Sequence, residues 1–468
     1  MAGVEKVARQ DPLEAIRVHA EKYVVVIGAG VAGMRSALAL ASHDMGVTLL
    51  EQAKDTGGRV AEMSAVYPTG AIGSTLLASL GSQVQANRKI SLRTEAQIES
   101  IDGYVGNFTV RFRCSGGDIE EVKAGALVLA TGYNHYQPRT GELGYGESPA
   151  VVTLPDFQRL LAAAPTSGLQ VDGKPIHSIA FVHCVGSRQT EGVDPPAPDG
   201  KINDYCSRVC CTAAMYTINQ TLDRFPDLQI YDLYRDIRTY GRGQEEYYES
   251  ASKRGVLFFR FTPDAPVQFT AANGKGPSLT LVDTLTWGEE LTIPTDLVVL
   301  VTGMVPRDIS NLVGMLKLPI GADRFLQEVH PKLRPVELAN NGIVVAGACQ
   351  GPMDIMESCA AAEAAAVKVS ILLSNPTINL DPFVARVNEE RCDGCEKCLA
   401  ECSYTGALTM VDRDGGRRVV SVNPAVCAGC GACVAVCPPR ALDLAGWSLD
   451  QFDAMVDAIS NDLVLIPA

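Results

Sequence analysis

Short, almost uninterrupted apolar runs recur along the chain and alternate with longer helical patterns. The first is YVVVI at residues 23–27, and similar runs lie at 126–130, 179–183, 296–303 and 342–348. Runs that are apolar on both faces are typical of strands in a parallel sheet, which helices cover on each side. A helical pattern follows the first run at 32–42, a second strand is predicted at 47–51, and an Ala-rich helix is predicted at 357–373. This alternation predicts an α/β fold with parallel sheets.

The loop after the first strand contains the spacing GxGxxG, at Gly28, Gly30 and Gly33. It follows a strand and opens a helix, the context in which this spacing holds a pyrophosphate. The first glycine permits a tight turn, the second lets backbone approach the phosphates, and the third lets helix and strand pack closely. Glu51 ends the next strand, where its carboxylate is placed to bind an adenosine ribose. Outside this context, the three residues would be ordinary turn glycines.

The choice between NAD and FAD, which share this spacing, depends on later segments. Gly57, Gly58 and Arg59 follow Glu51 and resemble the GG doublet that flavoproteins with two dinucleotide-binding domains place beside the FAD pyrophosphate. The ATG at 130–132 resembles the stretch by which these flavoproteins return to the cofactor, and the VTG at 301–303 is similar to a second copy. Each tripeptide alone is an ordinary strand-ending turn. Their order along the chain favours FAD.

A second α/β unit begins at the strand 179–183 but lacks the glycine spacing. The sequence CVGSR at 184–188 stands where a nicotinamide-binding domain would place its phosphate loop. It has one glycine, and no charged partner for a ribose accompanies it, so we predict that no nicotinamide binds there. His183, just before this stretch, is interpreted as a packing residue at the strand end.

Composition narrows the functional classes further. The net charge of −14 and a pI near 5.0 argue against a nucleic-acid partner, because phosphate binding needs a basic face. The chain has no run of about 18 apolar residues that could span a bilayer. Its first 22 residues mix charges throughout and lack the apolar centre of a signal peptide. We therefore predict a cytoplasmic protein, in which fifteen cysteines indicate metal or redox chemistry rather than disulfides.

Eight of the cysteines form two CxxCxxCxxxC runs near the C-terminus, the clearest internal repeat of the chain. In ferredoxin runs of this kind, three cysteines bind one 4Fe-4S cluster and the fourth crosses to the other cluster. The predicted ligand sets are Cys392, Cys395, Cys398 and Cys437 for one cluster, and Cys427, Cys430, Cys433 and Cys402 for the other. A zinc ribbon would leave the third and fourth cysteine of each run idle.

Three further cysteines, Cys206, Cys210 and Cys211, lie beyond a Pro-, Gly- and Asp-rich loop that begins near Cys184. Adjacent cysteines are poor disulfide partners. The four thiols are able to converge on one more iron cluster, but cysteines are also common core residues. From the residues alone, both interpretations stay open.

Three segments are similar to internal signatures of the heterodisulfide reductase A-subunit family, which includes related subunits of quinone-modifying and benzoyl-CoA reductase complexes. They are HCVGSRQ at 183–189, DYCSRVCC at 204–211 and VAGACQGPMDIMESCAAAEAAA from residue 345. The resemblance extends from Tyr23 to about Leu444. It implies an α/β, thioredoxin-reductase-like flavoprotein with two dinucleotide-binding domains, followed by a C-terminal α+β ferredoxin-like domain for two 4Fe-4S clusters.

The resemblance also implies the site residues. A third 4Fe-4S cluster beside the flavin would be held by Cys184, Cys206, Cys210 and Cys211. The segment around Gly347, Gly351, Pro352, Met353 and Asp354 would close over the ribityl and ring of FAD. The predicted FAD contacts are Gly28, Gly30, Ala32, Gly33, Glu51, Gln52, Gly57, Gly58, Arg59, Ile98, Ala130, Thr131, Gly132, Gly347, Met353 and Asp354.

The predicted domains follow from these assignments. They are an N-terminal arm at 1–22, the FAD domain at 23–145 and 295–375, an inserted dinucleotide-type domain with the cysteine site at 146–294, a linker at 376–388, the ferredoxin-like domain at 389–445 and a tail at 446–468.

The sequence departs from the family pattern in several places. The loop between Cys184 and Cys206 is longer than usual, which costs little entropy, and Ser403 replaces the proline usual after the first cysteine run. The stretch 67–80 has no cysteine, so no cluster is expected there. Many members carry a lysine near the flavin in the helix after the paired cysteines, whereas the predicted helix 212–223 has none, with Tyr216 near that position. Loss of this charge puts flavin-based electron bifurcation in doubt, and whether the flavin bifurcates stays open.

The predicted function is that of an electron-transfer subunit with FAD and three 4Fe-4S clusters. No Ser-His-Asp, Cys-His or paired-carboxylate arrangement indicates a catalytic residue of another kind. The expected partners are iron-sulfur subunits resembling heterodisulfide reductase B and C, and an electron-donating hydrogenase, formate dehydrogenase or ferredoxin. Two alternatives stay open. One is an NAD(P)H-dependent oxidoreductase like the small subunit of glutamate synthase, against which the CVGSR stretch argues, and the other is a docking subunit with a passive flavin.

Overall fold

Two five-stranded parallel sheets form the body of the molecule. The computed structural model describes residues 1–197, 199–271 and 276–464, the last four by backbone alone. The central strands of both sheets are apolar along nearly their whole length, because each sheet is covered on both faces.

The first sheet is built around the YVVVI strand. Its order is Ile343–Val345, Ala126–Leu129, Tyr23–Ile27, Gly46–Leu50 and Ile90–Arg93. Val24 and Val26 pack towards the helices Val31–Ser42, Gly73–Ala86 and Ile355–Leu372. Val25 and Ile27 pack on the opposite face, against the antiparallel sheet Ala96–Tyr104, Asn107–Cys114 and Ile119–Ala124. This alternation of side chains explains why both residue sets are apolar.

The second sheet repeats the plan. Its order is Val151–Thr153, Leu297–Thr302, Ser178–Val185, Gln229–Tyr234 and Leu257–Arg260. Ile179 and Phe181 pack on the side of the helices Leu154–Ala163, Cys210–Arg224 and Glu245–Lys253. Ala180 and Val182 face the antiparallel sheet Gln268–Thr270, Ser278–Asp283 and Glu289–Pro294.

One predicted strand lies in a different sheet from the one expected. Leu297–Thr302 is hydrogen-bonded between Val151–Thr153 and Ser178–Val185, so it belongs to the second sheet. The prediction that residue 295 opens the second part of the FAD domain is wrong at this strand. The chain returns to the first sheet through Met304–Pro306, which pairs with the outgoing strand Tyr133–His135. An apolar strand fits the core of either sheet, so the hydrophobic pattern of the sequence could not assign this strand to one of them.

The C-terminal cysteine module contains two antiparallel strand pairs. They are Ala385–Val387 with Leu442–Leu444 and Leu408–Arg413 with Arg417–Val422, accompanied by the short helices Lys397–Glu401 and Ala432–Ala435. The segment predicted as a linker at 376–388 therefore contributes a strand to this module. The same segment also contains the strand Thr377–Leu380, which lies outside the module and pairs with Ile16–His19 of the N-terminal arm.

The two ends of the described chain meet. The helix Ala2–Ala8 lies beside the tail helix Leu449–Val464, and Gln451 donates a hydrogen bond to the Lys6 carbonyl at 3.2 Å. Residues 465–468 of the predicted tail lie outside the described residues. The remaining short elements are Ala65–Val66 with Ala71–Ile72, Gln170–Val171 with Lys174–Pro175, the helix Ser310–Leu316 and the 3-10 turns Gly58–Glu62, Glu142–Gly144 and Thr284–Thr286.

Candidate FAD and iron-sulfur sites

A cavity of about 750 Å³ opens where the strands of the first sheet end. This volume lies in the range of cofactor sites. The predicted FAD contacts that line it are Gly28, Gly30, Ala32, Glu51, Gln52, Gly57, Gly58, Arg59, Ile98, Ala130, Thr131, Gly132, Met353 and Asp354. Two predicted contacts, Gly33 and Gly347, are not part of the lining.

Gly33 and Gly347 lie one layer behind the cavity wall. A Cβ on Gly33 would stand 1.8 Å from the Gly28 carbonyl oxygen, so Gly33 serves the close packing of helix on strand. Gly347 has φ +75°, and a Cβ there would stand 2.6 Å from the Cβ of Ala32, which does line the cavity. Both glycines shape the site without facing it.

The two glycine-rich segments lie against each other. Gly28 has φ +106°, and a Cβ there would stand 2.4 Å from the Ala130 carbonyl oxygen, so no other residue permits this turn. Gly57 donates to the Ala29 carbonyl at 2.9 Å, and the added Cβ of Gly30 would touch only Gly58. Gly30 caps the helix Val31–Ser42 without any side-chain hydrogen bond. The first backbone amides of this helix have no partner within the helix, and no side chain of Gly30 covers them. This arrangement suits a phosphate group.

Glu51 is held by the same backbone. One carboxylate oxygen accepts from Ala29 N at 2.8 Å and the other from Ala53 N at 2.9 Å. The residue is only 8% exposed, yet it lines the cavity. Each carboxylate oxygen keeps a further lone pair, so both can still accept from a ribose hydroxyl.

Two arginines add positive charge to the cavity wall. Arg59 and Arg307 both donate to the Tyr133 carbonyl, from Nε at 3.2 and 3.4 Å, and Arg59 also pairs with Glu62 at 2.7 Å. Burial lowers the pKa of Arg307, and the neighbouring Arg59 acts in the same direction. In the described part of the chain, Arg307 has no carboxylate within 4.0 Å. A pyrophosphate would compensate both cations, so the residues present fit FAD.

Arg307 was missed in the sequence, because it lies far along the chain from the glycine loop. The sequence feature that could have indicated Arg307 is its position, five residues after the second-sheet strand that ends at Thr302. Tyr216, at the position where many relatives carry a lysine, is not part of the cavity lining. It packs edge-on against Tyr247 and approaches Gly70.

The four cysteines of the second sheet come together at the end of its strand Ser178–Val185. Cys210 and Cys211 open the helix Cys210–Arg224, and both are buried, as is Cys184. The pKa of Cys210 is raised by its hydrogen bond with Cys211, by burial, and by the nearby thiols of Cys184 and Cys206. The thiols therefore lie close enough to interact, at a helix N-terminus that favours negative charge.

The backbone around these cysteines is strained. Cys184, Arg188 and Arg208 all have positive φ values, of +63°, +54° and +61°. Such conformations cost on the order of 1–3 kcal/mol each for residues other than glycine and collect at functional sites. Arg208 also donates to the Pro352 carbonyl at 3.0 Å and pairs with Glu357 at 2.7 Å, which ties the cysteine loop to the segment over the FAD cavity.

Backbone amides in the CVGSR stretch are already engaged. The amides of Ser187, Arg188 and the next residue, Gln189, donate to the carbonyls of Cys184, Tyr205 and Asn203, at 3.2, 2.8 and 2.8 Å. The ring of Tyr136 occupies the space where a Cβ of Gly186 would stand. These amides are not free for a second dinucleotide phosphate.

A small cavity of about 30 Å³ lies between the FAD cavity and the cysteines. Tyr67 and Met304 line both cavities, and Cys210 lines the small one. Burial raises the pKa of Tyr67 well above its usual value, so its hydroxyl stays protonated. One layer of side chains therefore separates the FAD cavity from Cys210.

The C-terminal module brings cysteines of both runs close together. A small cavity is lined by Cys392, Cys395, Cys398 and Cys437, which are the first predicted set. Burial raises the pKa of Cys433 to about 11, and the neighbouring thiols that add to it are those of Cys427, Cys430, Cys402 and Cys398. Among the described residues, no three His, Cys, Asp or Glu side chains surround a single ion-sized point. The fit to iron-sulfur clusters rests on the all-thiol donor sets and their placement.

Comparison with known proteins gives two matching segments. Residues 22–163 match the family described as pyridine nucleotide-disulphide oxidoreductase, and residues 391–441 match the 4Fe-4S dicluster domain. Methanopyrus kandleri has two iron-sulfur A subunits of CoB--CoM heterodisulfide reductase, and the second is 33% identical to this chain, over 88% of the chain and 73% of that protein. The chain belongs to the heterodisulfide reductase A-subunit family.

Two further members extend the match to nearly the whole chain. The first Methanopyrus kandleri homologue is 32% identical over 98% of this chain and 80% of that protein. The corresponding protein of the H(2)/formate:CoB-CoM heterodisulfide,ferredoxin reductase of Methanococcus maripaludis is 32% identical over the same shares.

Members of this family are FAD- and iron-sulfur-dependent electron-transfer proteins, so this chain is an oxidoreductase subunit of that kind. The two matched segments confirm the predicted fold, an α/β dinucleotide-binding body with a C-terminal ferredoxin-like domain. Among the described residues, the structure has no helix with the length and apolar content needed to cross a membrane. The cytoplasmic location stays a prediction.

Proposed function

We propose that the chain transfers electrons between one FAD and three 4Fe-4S clusters, within a complex of the heterodisulfide reductase type. The first-sheet cavity would hold FAD. Cys184, Cys206, Cys210 and Cys211 would hold one cluster, and the ferredoxin-like module would hold the other two. FAD and the clusters supply the redox chemistry, while the chain supplies binding, spacing and charge.

The observation that carries the proposal is the short separation between the FAD cavity and Cys210. Four residues line both the FAD cavity and the small cavity that Cys210 lines: Glu62, Met63, Tyr67 and Met304. Electron transfer requires close approach but no bond between the two sites. Arg208 supports the same arrangement, because its contacts hold the cysteine loop against the segment that covers the FAD cavity.

Electrons would enter and leave through protein partners. The engaged amides of Ser187, Arg188 and Gln189 argue against a nicotinamide donor. We propose iron-sulfur subunits resembling heterodisulfide reductase B and C as partners, and a hydrogenase, formate dehydrogenase or ferredoxin as donor. The name of the Methanococcus maripaludis relative contains H(2), formate and ferredoxin. Electron bifurcation is not part of the proposal, since the helix segment 212–223 has no lysine and the described cavity lining contains none.

The metal and flavin content of the full chain tests this proposal. Purified anaerobically, the protein should contain about twelve iron atoms and one FAD per chain, because twelve cysteines form three four-ligand sets. The double variant Cys210→Ala, Cys211→Ala should lose the iron of one cluster and keep the ferredoxin-like pair, whose ligands are separate. About eight iron atoms per chain in the unmodified protein would contradict the proposed cluster at Cys184, Cys206, Cys210 and Cys211.

A further inference from the structure

Arginines outnumber carboxylates on one wall of the cysteine site. The Asp236 carboxylate forms ion pairs with three guanidinium groups, those of Arg188, Arg260 and Arg238, at 2.9, 3.2 and 3.5 Å. The fourth arginine, Arg235, makes no ion pair within the described residues. Three of the four arginines therefore share one carboxylate, and the other buried carboxylate near the cysteines, Asp232, is paired with His183. This group of side chains carries an excess of positive charge.

One of these arginines lies beside a predicted ligand sulfur, and another is hydrogen-bonded to the backbone of the first. The Nη1 atom of Arg188 lies 4.0 Å from the Sγ atom of Cys184. Arg235 is 8% exposed and donates from Nη1 to the Arg188 carbonyl at 2.6 Å, while its Nε atom has no hydrogen-bond partner.

A buried guanidinium without a carboxylate is costly unless another negative group compensates it. The four thiolates of an iron-sulfur cluster would supply that negative charge. The first ferredoxin-type cavity differs, since Asp393 and Glu396 are the charged residues that line it. Of these two, Glu396 is paired with Arg418 at 2.9 Å, and no arginine of the described residues lines this cavity.

We propose that Arg188 and Arg235 raise the reduction potential of the cluster held by Cys184, Cys206, Cys210 and Cys211. This inference rests on the proposed function. Uptake of one electron adds one negative charge to a cluster and its thiolates, and a fixed cation nearby favours the more negative state. The effect is strong in a buried site, where water screens little. The arginines thus offset the burial of the cysteines, which would otherwise disfavour the reduced cluster.

The test compares midpoint potentials in the full, cluster-loaded chain by redox titration followed with electron paramagnetic resonance. In R188Q and R235Q, the potential of one cluster should shift to more negative values, while the two ferredoxin-type clusters stay unchanged and serve as an internal reference. R188K keeps the charge and should stay near the unmodified value. The control R254Q removes an arginine of the same domain that pairs with Asp223, away from the cysteines, and should shift nothing.

Iron content separates the outcomes. An R188Q protein that keeps its full iron but shows no shift would overturn the role of the arginines. The same holds if R188K shifts as far as R188Q, because the effect would then be structural. If R235Q loses iron, the potential measured in R188Q tests the proposal, because the Arg188 side chain is 21% exposed and easier to replace. Two clusters instead of three in the unmodified protein would overturn the proposed function itself.

Discussion

Single atoms at glycine positions decide whether the FAD cavity can form. At Gly33 there is no room for a methyl group, since the Gly28 carbonyl oxygen would lie 1.8 Å from it. The helix and the strand meet at this point, so neither can move alone. The glycine is needed for the shape of the phosphate loop and not for contact with the cofactor.

Gly33→Ala should lose FAD and unfold at a lower temperature, because the helix Val31–Ser42 must move away from the loop that it holds. Flavin absorbance per chain and the melting temperature measure both effects. Gly81→Ala is the matched control: it lies inside the helix Gly73–Ala86, and its added Cβ meets nothing within 4 Å. This change should keep FAD and stabilise the chain by about 0.5–1 kcal/mol. FAD binding that survives in Gly33→Ala would contradict the packing argument.

His135 links stability to pH near the flavin cavity. Burial lowers its pKa from 6.5 to about 4. Between these values the unfolded chain binds a proton that the folded chain excludes, so the free energy of unfolding falls as pH decreases from 6.5. His135→Gln should reduce this slope, measured by denaturant unfolding at several pH values, whereas His43→Gln, at an exposed position, should leave it unchanged. An equal slope in His135→Gln would contradict the burial of a neutral imidazole.

At the level of elements, the last cysteine of the second run of the C-terminal module lies with the first run, as the predicted crossing of ligands requires. Cys437 follows the second run but lines the cavity of Cys392, Cys395 and Cys398. The module contains two antiparallel strand pairs, Ala385–Val387 with Leu442–Leu444 and Leu408–Arg413 with Arg417–Val422. We predict that each run supplies one ligand to the cluster of the other.

Cys437→Ala and Cys392→Ala should therefore damage the same cluster, with a loss of up to about four iron atoms per chain. Cys402→Ala and Cys427→Ala should damage the other. Electron paramagnetic resonance of the remaining cluster distinguishes the two pairs of variants. Cys114→Ser, on the strand Asn107–Cys114, is the control and should keep all iron. If Cys437→Ala behaves like Cys427→Ala, the ligands do not cross.

The whole molecule joins two sheets of the same architecture that serve different chemistry. The first keeps the glycine loop and the large cavity, while the second carries cysteines and engaged amides at the corresponding strand end. The paired segments Tyr133–His135 and Met304–Pro306 connect the two sheets. Met304 also lines both cavities, so the connection between the sheets forms part of the wall between the two sites.

NADH and NADPH should therefore leave the flavin oxidised under anaerobic conditions, because neither nucleotide has a phosphate site in the second sheet. Dithionite or reduced ferredoxin should bleach the flavin absorbance of the same sample, which shows that the flavin is competent. Stoichiometric bleaching within seconds by either nucleotide would favour the alternative that resembles the small subunit of glutamate synthase.

The sequence by itself determined those site features that depend on residues close together along the chain. The glycine spacing, Glu51 and the two cysteine runs are local patterns, since a turn or a four-ligand set needs fixed short separations. Only the tertiary structure placed Leu297–Thr302 in the second sheet, because an apolar strand fits either core. It also brought Arg307 to the FAD cavity, Arg235 to the Arg188 carbonyl, and Tyr67 with Met304 to the lining of both cavities. These contacts join residues far apart along the chain, and packing rather than local spacing creates them.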